Sequence, residues 1–111
     1  MTNETIIART GEPTFAFLIA KSGDRVGAAY QLRPDNTDIG RSGENHIRLD
    51  DDLVSMAHAR VRIEGDEQQF YLYDLASSNG TKVNGEEIHR HPLQHDDHVE
   101  FGKTTLVFKQ L

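Results

Sequence analysis

Residues 57–65, AHARVRIEG, alternate without interruption: Ala57, Ala59, Val61 and Ile63 fall on one side, His58, Arg60, Arg62 and Glu64 on the other. Successive side chains of a strand point to opposite faces, so this is the pattern of a strand with one buried and one solvated face. Glu64-Gly65-Asp66-Glu67 marks its end, and the aromatic-rich QFYLYDL resumes at once, which predicts a β-hairpin.

The rest of the chain reads in the same way. FAFLIA and AAYQL are short β-forming runs separated by the turn signal in KSGDRVG; Ile47 and Leu49 share one face opposite His46, Arg48 and Asp50; HVEF and TTLVFK close the sequence on either side of Gly102. The best helical window, residues 52–60, has Asp52 as a cap and Leu53, Met56, Ala57 and Arg60 at helical spacing, but it is too short to stand without tertiary help. About eight to ten short strands with turn signals every 8 to 12 residues predict an all-β fold, a two-sheet antiparallel β-sandwich. The sandwich is expected over residues 14–111, after a flexible tail or linker over 1–13 that ends at Pro13.

A chain of 111 residues is most simply one domain, and at this length it buries roughly two-thirds of its unfolded surface. Cysteine is absent, which excludes disulfides, thiolate metal sites and a thiol nucleophile. The longest apolar run, Phe15 to Ala20, is far below the ~20 residues of a membrane helix, and the N-terminus lacks the order of a signal peptide. The expectation is a soluble cytoplasmic domain with no membrane partner. Twelve Lys and Arg against 18 Asp and Glu give a charge of -6, which repels nucleic acid; an anionic ligand needs a local pocket.

Such a pocket can be assembled from four polar groups that lie between strands: Gly40-Arg41-Ser42, then Ser55 and His58, then Ser77-Ser78-Asn79-Gly80-Thr81, then Val83-Asn84-Gly85. Loops at one end of a sandwich cluster in space, so these groups are candidates to converge. Together GRSGENHIRL, SMAHARVRI, YLYDLASSNGTKVNG and LQHDDHVEFG resemble the forkhead-associated (FHA) domain, a phosphothreonine-peptide-binding module, from about Phe15 to Leu111. The resemblance implies a non-catalytic recognition module in Ser/Thr-kinase signalling, whose partner is a phosphothreonine-bearing protein. It also implies roles for residues. Arg41 matches the phosphate-binding Arg, Ser55 a phosphate donor, Ser78 a further hydroxyl donor and Asn79 the residue that holds the peptide backbone, with Ser42 beside Arg41. Gly40, His58, Gly80 and Asn84 match positions that shape the loops. Thr5, preceded by Glu4, matches a threonine that in some small bacterial members is phosphorylated and folds back into the pocket. The chemistry is consistent, because a phosphothreonine carries about -1.5 to -2 charge and three acceptor oxygens, which suit a guanidinium's directional donors.

Two positions depart from the family pattern: Met56 replaces a common polar contact after Ser55, and Asp96-Asp97 replaces a Gly-Asp turn, with a small stability cost expected. Asp50, Asp51 and Asp52 precede Ser55 closely enough to disfavour acidic residues flanking the phosphothreonine. Three other readings compete. A hydrolase could be drawn from Ser55, His58 and Asp74, but no nucleophile-elbow motif supports it. His89, His91, His95 and His98 form the one metal-like cluster, read as a solvated connection, so neither metal nor cofactor is expected. The alternative function is a phosphate-independent protein interaction domain. His58 is placed on the solvated side of the strand start, as a buttress.

Overall fold

A computed structural model describes residues 15–111. The tail and Thr5 lie outside the described residues. Eleven strands follow in order: Ala16–Ala20 (β1), Ala29–Gln31 (β2), Asn36–Gly40 (β3), Ile47–Arg48 (β4), Ala59–Glu64 (β5), Gln69–Asp74 (β6), Thr81–Val83 (β7), Glu86–Ile88 (β8), Arg90–Pro92 (β9), His98–Phe101 (β10) and Thr104–Gln110 (β11). They build a six-stranded sheet, β2-β1-β11-β10-β7-β8, and a five-stranded sheet, β4-β3-β5-β6-β9. The all-β two-sheet sandwich expected from the sequence is the fold. The sequence undercounts its strands, because β7, β8 and β9 are only three residues long and too short to show alternation; the alternation read over 46–50 yields only the two-residue β4. The sheets are also not wholly antiparallel, since β3 and β4 pair in parallel, Ile39 with Ile47.

The hairpin forms as patterned, with Val61 opposite Leu72 and Ile63 opposite Phe70. The inner face of β5 and β6 carries Ala59, Val61, Phe70 and Leu72, all buried against Leu18, Phe101, Leu106 and Phe108 of the other sheet. Phe70 tilts against Phe108 with ring centres 5.5 Å apart, a contact between the two layers. Full burial of each such side chain contributes about 1.5–3 kcal/mol.

The alternation fails at its first two positions. Ala57 is exposed and His58 is fully buried, the reverse of the pattern. Residues 51–57 form turns and bends in place of the helical window, and regular alternation begins only at Ala59. The chain enters the sheet through a bend that turns His58 inward.

The two ends of the described chain are neighbours. Ala16 pairs with Gln110, and Leu111 N–H donates to the Phe15 carbonyl at 3.0 Å. No helix among the described residues is long and apolar enough to cross a membrane.

Candidate functional site

Three connections meet at one end of the sandwich: residues 41–46 after β3, 49–58 before β5, and 75–80 after β6. Backbone bonds tie them together. Arg41 N–H donates to the Ser55 carbonyl at 3.0 Å, Ser42 N–H to the Met56 carbonyl at 3.3 Å, and Leu75 N–H to the His58 carbonyl at 2.9 Å. Gly40 is needed here for space. A Cβ at that position would run into the Met56 carbonyl and lie 2.7 Å from the Asn45 amide nitrogen, and backbone cannot yield as a side chain does.

Arg41 is half-buried, and its Nε donates to the Val54 carbonyl at 3.0 Å. That bond fixes the guanidinium through Nε and does not use its terminal nitrogens. Among the described residues Arg41 makes no ion pair, although acidic side chains outnumber basic ones. Ser55 Oγ accepts the Ser78 N–H at 3.0 Å, which frees its own hydroxyl hydrogen to donate outward. Asn79 Nδ2 donates to the Leu53 carbonyl at 2.9 Å and leaves its carbonyl oxygen exposed to solvent with the rest of the side chain. Ser42 Oγ accepts the Glu44 N–H at 3.2 Å.

His58 holds two of the loops at once. Its Nδ1 accepts the Ser55 N–H at 3.0 Å, so Nε2 carries the proton and donates to the Gly80 carbonyl at 2.9 Å. The ring meets Phe101 edge-on at 5.4 Å. Gly80 sits at φ 84°, the left-handed region where a side chain is strained. The structure therefore gathers Gly40, Arg41, Ser42, Ser55, His58, Ser78, Asn79 and Gly80 around one end.

Asn84 stands apart. It occupies the β7–β8 turn at φ 51°, donates to Asp97 Oδ1 at 2.9 Å, and accepts the His98 N–H at 2.9 Å through its side-chain oxygen. It locks the turn at the end of β7 away from Thr81, so residues 77–81 and 83–85 serve two different places. The departure at residues 96–97 is absorbed in the same region. Asp96 takes φ 76°, while Asp97 is nearly buried and accepts the Gln94 N–H at 2.8 Å as well as the Asn84 amide.

The supporting roles of three residues escape sequence reading. Asn45 Nδ2 donates to the Ser42 carbonyl at 2.9 Å and the Met56 carbonyl at 2.7 Å, stapling two loops. Asp74 accepts the Ser77 and Thr81 hydroxyls and the Ser77 N–H; burial pushes its carboxyl up, and these donors outweigh that and hold it below the usual range. Asp51 accepts Leu53 N–H at 2.9 Å, Lys103 N–H at 2.8 Å and the Thr104 hydroxyl at 2.8 Å. Burial again opposes ionisation, and again the donors win, so the carboxyl is held low. Asp51 is thus turned inward, and of the three consecutive aspartates only Asp50 and Asp52 are exposed. An Asp accepting from the backbone two residues on is a common local turn, which was a usable signal for Asp51; its bonds across to Lys103 and Thr104 carry no local signature.

The FHA domain family model matches residues 37–102. The chain belongs to the FHA domain family. This FHA domain is 41% identical over 93 residues to the glycogen accumulation regulator GarA of Mycolicibacterium smegmatis, covering 84% of this chain and 58% of the relative. It is 42% identical over 93 residues to an oxoglutarate dehydrogenase inhibitor of Corynebacterium efficiens, covering 84% of this chain and 64% of the relative. The chain therefore spans about three-fifths of the length of these curated relatives. Among solved structures it is similar to one from a structural and functional analysis of phosphothreonine-dependent FHA domain interactions, with 33% identity and a TM-score of 0.79 over 86% of this chain and 96% of that one. The FhaA FHA domain complexed with the intracellular domain of Rv3910 matches at 33% identity and a TM-score of 0.76, over 85% of this chain and 99% of that one.

The relatives are named as a regulator and an inhibitor. In this FHA domain both ring nitrogens of His58 are committed to backbone groups, leaving no lone pair to activate the Ser55 hydroxyl, and Asp74 is occupied by its own turn. The histidine connection is dispersed: His91 lies in β9 and His98 in β10, strands of different sheets, and His95 Nδ1 accepts the Gln110 N–H at 3.0 Å. Among the described residues no three His, Asp or Glu side chains are grouped to hold a metal ion.

Proposed function

We propose that this FHA domain is a phosphothreonine-peptide recognition module that binds through the loop end, with Arg41 and Ser55 contacting the phosphate, Ser78 and Ser42 adding donors and Asn79 holding the peptide backbone. The observation that carries the reading is Arg41: half-buried, aimed by its Nε bond to the Val54 carbonyl, and without a carboxylate partner among the described residues. A dianionic phosphate supplies the missing counter-charge. Near a surface a charge pair at 4 Å is worth up to about 4 kcal/mol, whereas the overall negative charge is screened beyond ~8 Å, so the local pocket outweighs the net charge. The phosphothreonine methyl adds ~0.8 kcal/mol where it is buried, which favours threonine over serine. The module acts by binding, as a regulator in Ser/Thr-kinase signalling.

Titration of one peptide in phosphothreonine, phosphoserine and unmodified forms tests this directly. The phosphothreonine form should bind best, and Arg41→Ala and Ser55→Ala should each weaken it at least about tenfold through loss of charge-assisted bonds of about 1.5 to 3 kcal/mol. Equal affinity for phosphorylated and plain peptide would leave a phosphate-independent interaction domain as the correct description.

A further inference from the structure

The outer face of the five-stranded sheet runs away from the phosphate loops in rows set by strand register. Asp38, Arg60, Tyr73 and Arg90 lie side by side in the first row, and Asn36, Arg62, Tyr71 and Pro92 in the second. Arg90 stacks over Tyr71 at 4.0 Å and Arg62 lies 6.0 Å from the Tyr73 ring centre. Glu64 accepts from the Tyr73 hydroxyl and from Arg90 Nη2, the latter at 2.9 Å, and Arg60 pairs with Asp38 at 2.6 Å. Arg62 is exposed and, among the described residues, makes no ion pair.

Among the described residues, three arginines against Asp38 and Glu64 leave one positive charge in excess on this face, on a chain whose total charge is -6. Arginine and tyrosine are the side chains that binding surfaces concentrate, and stacking has already ordered these, which lowers the entropy lost on contact. A groove of about 290 Å³ lined by Ser42, Met56, Ala57, Leu75, Asp38 and Arg60 joins the face to the loops. Glu44 also lines that groove, and Asp66 and Glu67 close the far end of the hairpin, so the positive stretch is bounded on both sides.

We propose that the segment carrying the phosphothreonine continues through this groove onto the sheet face, where Arg62 and Arg90 receive an acidic stretch of the same partner. The inference rests on the phosphothreonine reading and adds a second anchor to it. Acidic residues directly beside the phosphothreonine meet Glu44 and the exposed Asp50 and Asp52 and are disfavoured. Acidic residues further along are favoured. Arg62 lies two residues beyond Arg60, ~7 Å along the strand, a step that an extended segment covers in about two residues once past the groove, so the acidic run is set off from the phosphothreonine by a spacer of several residues.

The test uses a neutral phosphothreonine peptide, the same peptide extended on either side through a Gly-Ser spacer by a short run of Glu, and matched Gln extensions, titrated at low and physiological salt. Expected is a gain of about three- to tenfold for the Glu extension on one side only, reduced by salt, abolished by Arg62→Gln and reversed by Arg62→Glu, with the unextended peptide unaffected by either variant. Equal affinity of Glu and Gln extensions, or a gain that survives Arg62→Glu, overturns the second anchor and leaves the phosphate site standing. Failure of the unextended phosphopeptide to bind removes both readings. An Arg62-dependent affinity for oligothymidylate above that for the Glu-extended peptide would assign the face to nucleic acid and overturn the proposal.

Discussion

A single imidazole at position 58 satisfies one backbone donor and one backbone acceptor that would otherwise be stranded under the loops. His58→Ala leaves both unpaired in a buried space and should cost about 3 kcal/mol in urea unfolding, along with phosphopeptide affinity. Asn84→Ala removes two side-chain bonds at a left-handed position, so it should cost about 2 kcal/mol while leaving affinity nearly unchanged, because that turn lies away from the loops. The contrast separates the loop that His58 supports at Gly80 from the Asn84 turn, although residues 77–81 and 83–85 are separated by only one residue in sequence. Both motifs were legible as loop-shaping residues. What each shapes was not, because His58 departs from its strand's alternation and Asn84 answers to Asp97, which lies 13 positions further on. Gly40 makes the same point: the sequence shows the Gly-Arg pair, and only the approach of the Met56 carbonyl shows why a methyl is excluded.

The connection before β5 owes its shape to Asp51, which clasps it to the β10–β11 turn. Asp51→Ala should lower stability by about 2 kcal/mol and weaken phosphopeptide binding as well, since Leu53, Val54 and Ser55 all follow from that anchor. The carboxyl is held below its ordinary value, so its contribution is complete above the unfolded-state pKa near 3.8 and is lost as pH falls through the lower folded value. The stability gap between the wild-type domain and Asp51→Asn, measured by denaturant melts, should therefore be constant near neutrality and shrink below about pH 4. At this scale the alternation over 57–65 located β5 apart from its first two positions, whereas the alternation over 46–50 overstated β4, which keeps only Ile47 and Arg48. The parallel pairing of β3 with β4 was not readable, because register between strands is fixed by contacts remote in sequence and β4 is only two residues long.

For the molecule as a whole, a site made from three connections couples ligand to fold. Phosphopeptide at a hundredfold above its Kd should stabilise the folded state by about 2.7 kcal/mol, a rise of several degrees in Tm, and the rise should vanish in Arg41→Ala. The hydrophobic faces that the sequence displays say which side of a strand is buried, but the sheet each strand joins and its order there are non-local outcomes. One product of that order is the meeting of the two described ends at Phe15 and Leu111. From Thr104, which touches the loop anchored by Asp51, β11 runs six steps, ~20 Å, before it reaches Gln110 beside Ala16. Both attachment points thus sit side by side at the pole opposite the peptide loops. Chain continuing from Phe15 or from Leu111 leaves the sandwich at that same pole. That placement keeps the point of closure clear of the peptide loops, so an artificial link joining residues 15 and 111 should leave phosphopeptide affinity untouched.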